Sequence, residues 1–166
     1  LDNLRGVSTS YDNKVLITMH RRENHLLIED WFAQFDSLAR DYPEYEFIFP
    51  IHPNPNVRKY RSMLKHVKVI EPLGYNKFIS ALANCRFVIT DSGGIQEESS
   101  FFGKRCIICR KTTERVEGLG NFAFLCDSPS RLREFFEKVN SDHIPVGECP
   151  YGDGYATDKI IKVLKE

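Results

Sequence analysis

A doubly wound parallel α/β sheet of Rossmann-like type is the fold this sequence predicts, on three observations. Short apolar, β-branched runs such as 15–19, 67–70 and 87–90 recur along the chain, too continuously apolar for one face to be wet. Stretches with helical apolar spacing lie between them, the alternation that builds βαβ units. Polar clusters then follow several of the strands, and that edge is where open parallel sheets hold ligands.

In chain order, Val15-Leu16-Ile17-Thr18-Met19 reads as a central strand that runs into His20-Arg21-Arg22-Glu23-Asn24. Ile28, Trp31, Phe32, Phe35 and Leu38 repeat at helical spacing, so these aromatics belong to a buried stripe and Pro43 closes the element. A second strand, 46–51, leads into His52-Pro53-Asn54-Pro55-Asn56, whose prolines and asparagines deny it helix or ladder. A helix is expected from there to about residue 65, then a third strand over 67–70. After Glu71-Pro72-Leu73-Gly74-Tyr75 comes a helix carrying Phe78, Ile79 and Leu82. The fourth strand, 87–90, turns through Ser92-Gly93-Gly94 into a helix over 95–102. A fifth strand at 105–108 ends in Arg110-Lys111-Thr112-Thr113-Glu114-Arg115, and 121–125 is a short sixth. Pro129 opens a helix buried through Leu132, Phe135, Phe136 and Val139. Residues 144–155 form a Pro- and Gly-rich loop. A last helix bears Ile160, Ile161 and Leu164, to dock on the body or on something beyond it.

The 166 residues, 42% hydrophobic and 28% charged, suit one globular domain with a sizeable core. The 23 basic and 23 acidic side chains cancel, so charge points to neither nucleic acid nor membrane as a partner. No apolar run reaches spanning length and no signal peptide opens the chain, so a cytoplasmic location is expected. Among five cysteines, Cys106-Ile107-Ile108-Cys109 has the spacing of a redox motif. In a strand, positions three apart point to opposite faces, so we assign neither redox nor metal chemistry and expect buried, reduced thiols. The chain starts at Leu1, with methionines only at Met19 and Met63, which suggests a piece of a longer polypeptide or a product whose tag was removed.

The organising stretch is Phe87-Val88-Ile89-Thr90-Asp91-Ser92-Gly93-Gly94-Ile95-Gln96-Glu97-Glu98. The amides at a helix start lack intrahelical partners and carry the positive end of the dipole. Two glycines let a bulky anion approach, which makes the turn a candidate phosphate site, and Glu98 is one turn on, in reach of ribose hydroxyls. The same residues also read as an ordinary Gly-rich β–α junction. A parallel sheet gathers the exits at 20–23, 52–56, 92–94 and 110–115 along one edge, and arginines facing a helix start suit a diphosphate. Individually, a strand-end histidine, Arg115 beside Glu114 and Glu117, and Phe78 also read as surface hydrogen bonding, a solvated ion-pair patch and core.

Four of these segments, His20-Arg21-Arg22-Glu23-Asn24, His52-Pro53-Asn54-Pro55-Asn56-Val57-Arg58, Thr90 through Glu98, and Thr112-Thr113-Glu114-Arg115, stand in order before Pro150-Tyr151-Gly152-Asp153-Gly154. From about Val15 onward they closely resemble the C-terminal half of the non-hydrolysing UDP-N-acetylglucosamine 2-epimerases. That resemblance implies one half of a GT-B-like two-domain fold, with residues 1–166 as the UDP-sugar-binding half. Within it, 1–13 would lead in from the other half and 156–166 would form the terminal helix. It implies interconversion of UDP-GlcNAc and UDP-ManNAc by elimination and re-addition of UDP, with no cofactor. By position, Ser92, Gly93 and Gly94 would hold the diphosphate, Glu98 the ribose, and Phe78 with the backbone near Leu73 the uracil. Arg115 would stabilise departing UDP, and His20 would act near the sugar–phosphate bond as an electrostatic or proton-handling group. His52 and Arg21 match a second, activating nucleotide site found in some bacterial members. Val116 and Gly118 depart from the family pattern, so a looser loop is expected after Arg115.

The carboxylates that handle the C2 proton lie mainly on the family's N-terminal half, which this sequence lacks. Dependence on that half, or on self-association, is therefore expected, and a non-catalytic UDP-sugar-binding module or a glycosyltransferase donor domain are the alternatives.

Overall fold

The computed structural model describes residues 2–165; Leu1 and Glu166, the outer ends of the expected lead-in and terminal helix, lie outside the described residues. Six parallel strands form one sheet: β1 (Lys14–Thr18), β2 (Glu46–Pro50), β3 (Lys68–Ile70), β4 (Phe87–Thr90), β5 (Cys106–Cys109) and β6 (Ala123–Cys126). Their order is β3-β2-β1-β4-β5-β6, so the winding reverses between β1 and β4. Val15 pairs with Phe87 and Thr18 with Thr90, and the two strands therefore end level with one another. This reversal opens a crevice beyond the carboxyl ends of β1 and β4.

Helices cover both faces. On one, α1 (Ile28–Asp41) and α5 (Leu132–Ser141) bury Trp31, Phe32, Phe35 and Phe136 against Phe47, Phe49 and Phe87. Phe136 stacks on Phe47 at 5.7 Å between centroids and meets Phe87 edge-on at 5.4 Å, geometries that aromatic quadrupoles favour. The other face is covered by α3 (Tyr75–Asn84) and α4 (Gly93–Phe101), over Leu16, Val88, Cys106 and Ile108. Cys106 and Cys109 lie in these opposite cores, as strand alternation requires, and burial pushes the Cys106 thiol up to about 12.

Two expectations are corrected and a third is narrowed. The helix expected to run to residue 65 is a single turn, α2 (Pro55–Arg58), followed by a 3₁₀ turn at Arg61–Met63. Only Val57 and Leu64 are buried in this stretch, too little packing to hold a longer helix together. The helix after the fourth strand starts at Gly93, two residues before the apolar pattern begins, because its buried side is polar or small: Gly93, Gln96, Ser99 and Ser100. Of the two settings expected for the last helix, the body does not bury its apolar side: α6 (Ala156–Leu164) touches it through Asp158 and Arg5, while Ile160, Ile161 and Leu164 are 59%, 43% and 79% exposed.

The segment before β1 is held at the end of the sheet away from the crevice. Ser10 and Asp12 donate backbone N–H bonds to the carbonyls of Ala83 and Asn84. Lys104, fully buried at the α4–β5 turn, donates to the Ser10 carbonyl and lies 3.3 Å from the Tyr11 ring centroid.

Candidate functional site

The exits of the two central strands are tied together by Asp91, which directly follows β4 and is fully buried. Its carboxylate accepts the backbone N–H of His20 at 3.0 Å, that of Arg21 at 2.8 Å and the Asn24 amide at 3.1 Å. Asn24 also donates to the Cys109 carbonyl at the end of β5. Below them the Thr18 and Thr90 hydroxyls share a hydrogen bond of 2.6 Å, and Thr90 Oγ1 accepts the Ser92 N–H at 3.0 Å. The polar run after β1 is thus locked against the turn after β4. Sequence reasoning singled out His20 and Arg21 but gave no role to Asp91 or Asn24, whose contacts join residues 67 apart.

A hollow of about 230 Å³ opens over these exits and is lined by His20, His52, Leu73 and Phe78 together with Thr18 and Ile95. Four residues proposed from three separate segments of sequence therefore share one wall. Phe78 packs on the α3–α4 core while one side of it lines the hollow. The His20 and His52 rings stack at 5.3 Å, 20° from parallel, and His20 Nδ1 is 3.4 Å from Asp91. His52 Nδ1 accepts the Asn54 N–H at 3.1 Å, which puts the proton of the neutral ring on Nε2. Burial, reinforced by the His20 ring, holds the His52 pKa below its ordinary value. Arg21 contributes its backbone amide to Asp91, and its side chain is not among those lining the hollow. A larger hollow of about 570 Å³ lies on the far side of α4, against Phe101, Phe122 and the 147–153 loop, away from every strand exit.

Ser92 is the N-cap residue of α4 and makes no side-chain cap, so the first amides of the helix have no partner from that hydroxyl. A Cβ on Gly94 would meet nothing nearer than Ser92 Oγ at 3.9 Å, so the backbone is open to approach there. At Gly93 the space belongs to Arg115: a Cβ would stand 2.2 Å from its Nη1. Absence of a side chain at 93 is what lets the guanidinium lie against the start of the helix. Arg115 is held there by Glu97 through Nε and by Glu114 through Nη1. Glu98, one turn into α4, is half-buried; burial, with Glu97 adding repulsion, raises its pKa, and the Tyr75 hydroxyl hydrogen-bonds to it.

The loop carrying Arg115 is tightly bound, and the looser loop expected after it is corrected. Thr113 Oγ1 donates to Gln96 Oε1 at 3.0 Å and accepts the Arg115 N–H at 3.2 Å. Gln96 Nε2 donates to the Arg115 carbonyl at 2.8 Å and to the Tyr151 hydroxyl at 3.0 Å. Tyr151 in turn donates to the Arg115 carbonyl at 3.0 Å and accepts the Gly118 N–H at 3.2 Å. A Cβ at 118 would sit 2.7 Å from that hydroxyl, so glycine there makes room for the tyrosine. Among the described residues, no group of three or more His, Cys, Asp or Glu side chains is placed to hold a metal ion. No helix among them is long and apolar enough to cross a membrane.

A family model described as UDP-N-acetylglucosamine 2-epimerase matches residues 3–165. The UDP-N-acetylglucosamine 2-epimerase of Campylobacter jejuni is 36% identical over 171 aligned positions, covering 92% of this chain and 44% of the relative. Among solved structures, the Neisseria meningitidis UDP-GlcNAc 2-epimerase bound to UDP-GlcNAc superposes with a TM-score of 0.84 at 34% identity, covering 94% of this chain and 45% of that one. An Escherichia coli heptosyltransferase at 14% identity and TM-score 0.58, covering 78% of this chain and 45% of its own, shares the fold alone, which is that of a GT-B half. This chain spans less than half the length of each of them.

Proposed function

Because the chain belongs to the UDP-N-acetylglucosamine 2-epimerase family, we propose that it is the nucleotide-binding half of such an enzyme, which interconverts UDP-GlcNAc and UDP-ManNAc. The observation that carries this is a hollow with aromatic and imidazole walls beside an open helix start, with a guanidinium laid against that start. Uracil enters the hollow against Phe78 and the backbone near Leu73. Its ribose reaches Glu98, which already has Tyr75 as a hydrogen-bonding neighbour. The diphosphate lies on the amides of Ser92, Gly93 and Gly94 and beside Arg115.

In the reaction, the C2 proton leaves as the C1–oxygen bond to UDP breaks, giving a glycal and free UDP. UDP adds back to C1 while C2 gains a proton on the other face. Negative charge grows on the departing diphosphate, where the α4 amides and Arg115 stabilise it. His20, fixed through its amide by Asp91, faces the sugar–phosphate junction as an electrostatic or proton-handling group. The carboxylates that take and return the C2 proton come from an N-terminal half, for which residues 1–13 are the lead-in. His52, with Arg21, offers a second nucleotide position in the same crevice. A cytoplasmic enzyme that works with its other half, or as an oligomer, fits this reading.

Calorimetric titration tests the site. UDP is expected to bind the folded chain more tightly than uridine, and Phe78→Ala to weaken both by roughly tenfold. Undetectable UDP binding by a chain that still shows its melting transition would overturn the assignment.

A further inference from the structure

The contacts around Arg115 form a closed system, and its function lies in what they fix. Gln96 is fully buried, one turn along α4 from Gly93. Its amide nitrogen spends one hydrogen on the Arg115 carbonyl and the other on Tyr151, while its oxygen takes the Thr113 hydroxyl. The Tyr151 hydroxyl has one proton to give and gives it to the same carbonyl, leaving its lone pairs for Gln96 and Gly118. Thr113 gives to Gln96 and takes from the Arg115 N–H. These three side chains thereby form six hydrogen bonds, and each of their four polar protons has an acceptor, the Arg115 carbonyl taking two of them.

Both backbone groups of Arg115 are gripped, although its neighbours Glu114 and Val116 are exposed and only a 3₁₀ turn, Val116–Gly118, follows. Such a surface segment would ordinarily be mobile. The same helix that offers its first amides beyond Gly93 also clamps, through Gln96, the backbone that delivers the guanidinium. Separation between the two positive features is thereby set by one turn of α4.

We propose that Thr113, Gln96 and Tyr151 are positioning residues for Arg115, setting its guanidinium against the α4 start so that the two act jointly on the diphosphate. This rests on the nucleotide reading of the site above. It also gives Tyr151, far along the chain, a task in that site without contact to the nucleotide.

Two measurements on the 166-residue chain test it. The first follows the Arg115 Nε–H resonance by NMR without ligand. Thr113→Val and Tyr151→Phe should shift or broaden that signal, and Thr113→Ser, which keeps the hydroxyl, should restore it. The second compares affinities for UDP and uridine. Both disruptive variants should weaken UDP by about tenfold while uridine stays within about twofold, and Thr113→Ser should return to the original ratio. An unmoved Arg115 resonance, or equal loss for UDP and uridine, would overturn the positioning role. If the resonance moves as expected but the unmodified chain binds no UDP, the nucleotide reading fails, and with it a role on the diphosphate. Melting curves accompany each variant; should Tyr151→Phe not fold, the Thr113 pair decides alone.

Discussion

Among the described residues no carboxylate forms a salt bridge with Lys104, and only the more distant Asp12 offers it a negative charge; its ammonium is buried with a carbonyl and the Tyr11 ring for company. Burial pushes its pKa down to about 8 from 10.5. Between those values the unfolded chain holds more of this proton than the folded one, so Lys104 makes stability rise with pH across that window. Below about 8 the cost of burying the charge is present in full. The buried thiols act in the opposite direction: Cys85, raised to about 12, makes stability fall as pH climbs past its unfolded value of 9.0. A difference measurement isolates the lysine. The stability of the parent relative to Lys104→Met should grow by up to about 1.4 kcal/mol per pH unit between roughly 8 and 10. Urea denaturation at several pH values measures this, and a constant difference would show that the ammonium is not strained by its surroundings.

At the level of the element, α4 departs from the usual amphipathic pattern because its buried side serves contacts other than apolar packing. Ser99 and Ser100 both donate to the Gln96 carbonyl, Gln96 reaches the Arg115 loop, and Gly93 leaves room for a guanidinium. Gly93→Ala separates helix stability from site geometry. Alanine favours the helix, by up to about 1 kcal/mol in an interior position. Its Cβ, however, would take the space 2.2 Å from Nη1, so the end of the arginine must swing away. The melting temperature should hold or rise while UDP affinity falls about tenfold. Calorimetry with a parallel melt checks both, and unchanged affinity would detach Arg115 from the diphosphate.

For the whole molecule, the fold was legible because periodicity and strand chemistry act locally. Six apolar runs separated by helical spacing allow few architectures, and the doubly wound one brings strand exits to a single edge. His20, His52, Leu73 and Phe78 meet for that topological reason. What could not be read was whatever depends on side chains meeting across long sequence distances. Asp91 binding Asn24 and Gln96 binding Tyr151 leave no periodic trace, though both residues of each pair fall within segments that motif reading had marked. The start of α4 was missed for the related reason that a polar buried face has no hydrophobic signature. This chain spans 44% of its Campylobacter relative, and on the reading proposed above epimerisation calls for an N-terminal half as well. We expect no incorporation of solvent deuterium at C2 of UDP-GlcNAc with this chain alone, and incorporation once an N-terminal half from a relative is added. NMR of the sugar follows it; turnover by the chain alone would contradict the division of labour.

The carboxylates of Glu97 and Glu114 both pair with Arg115. An incoming nucleotide therefore exchanges one set of anions for another rather than filling a naked cationic site. Dissolved ions screen the outgoing and incoming pairs alike, so UDP affinity should fall only a few-fold as ionic strength rises from about 0.05 to about 0.5 M, a range over which the Debye length shrinks about threefold. Titrations across that range measure it, and a steep decline would mean that the acidic partners stay in place and the diphosphate finds its counter-charge elsewhere.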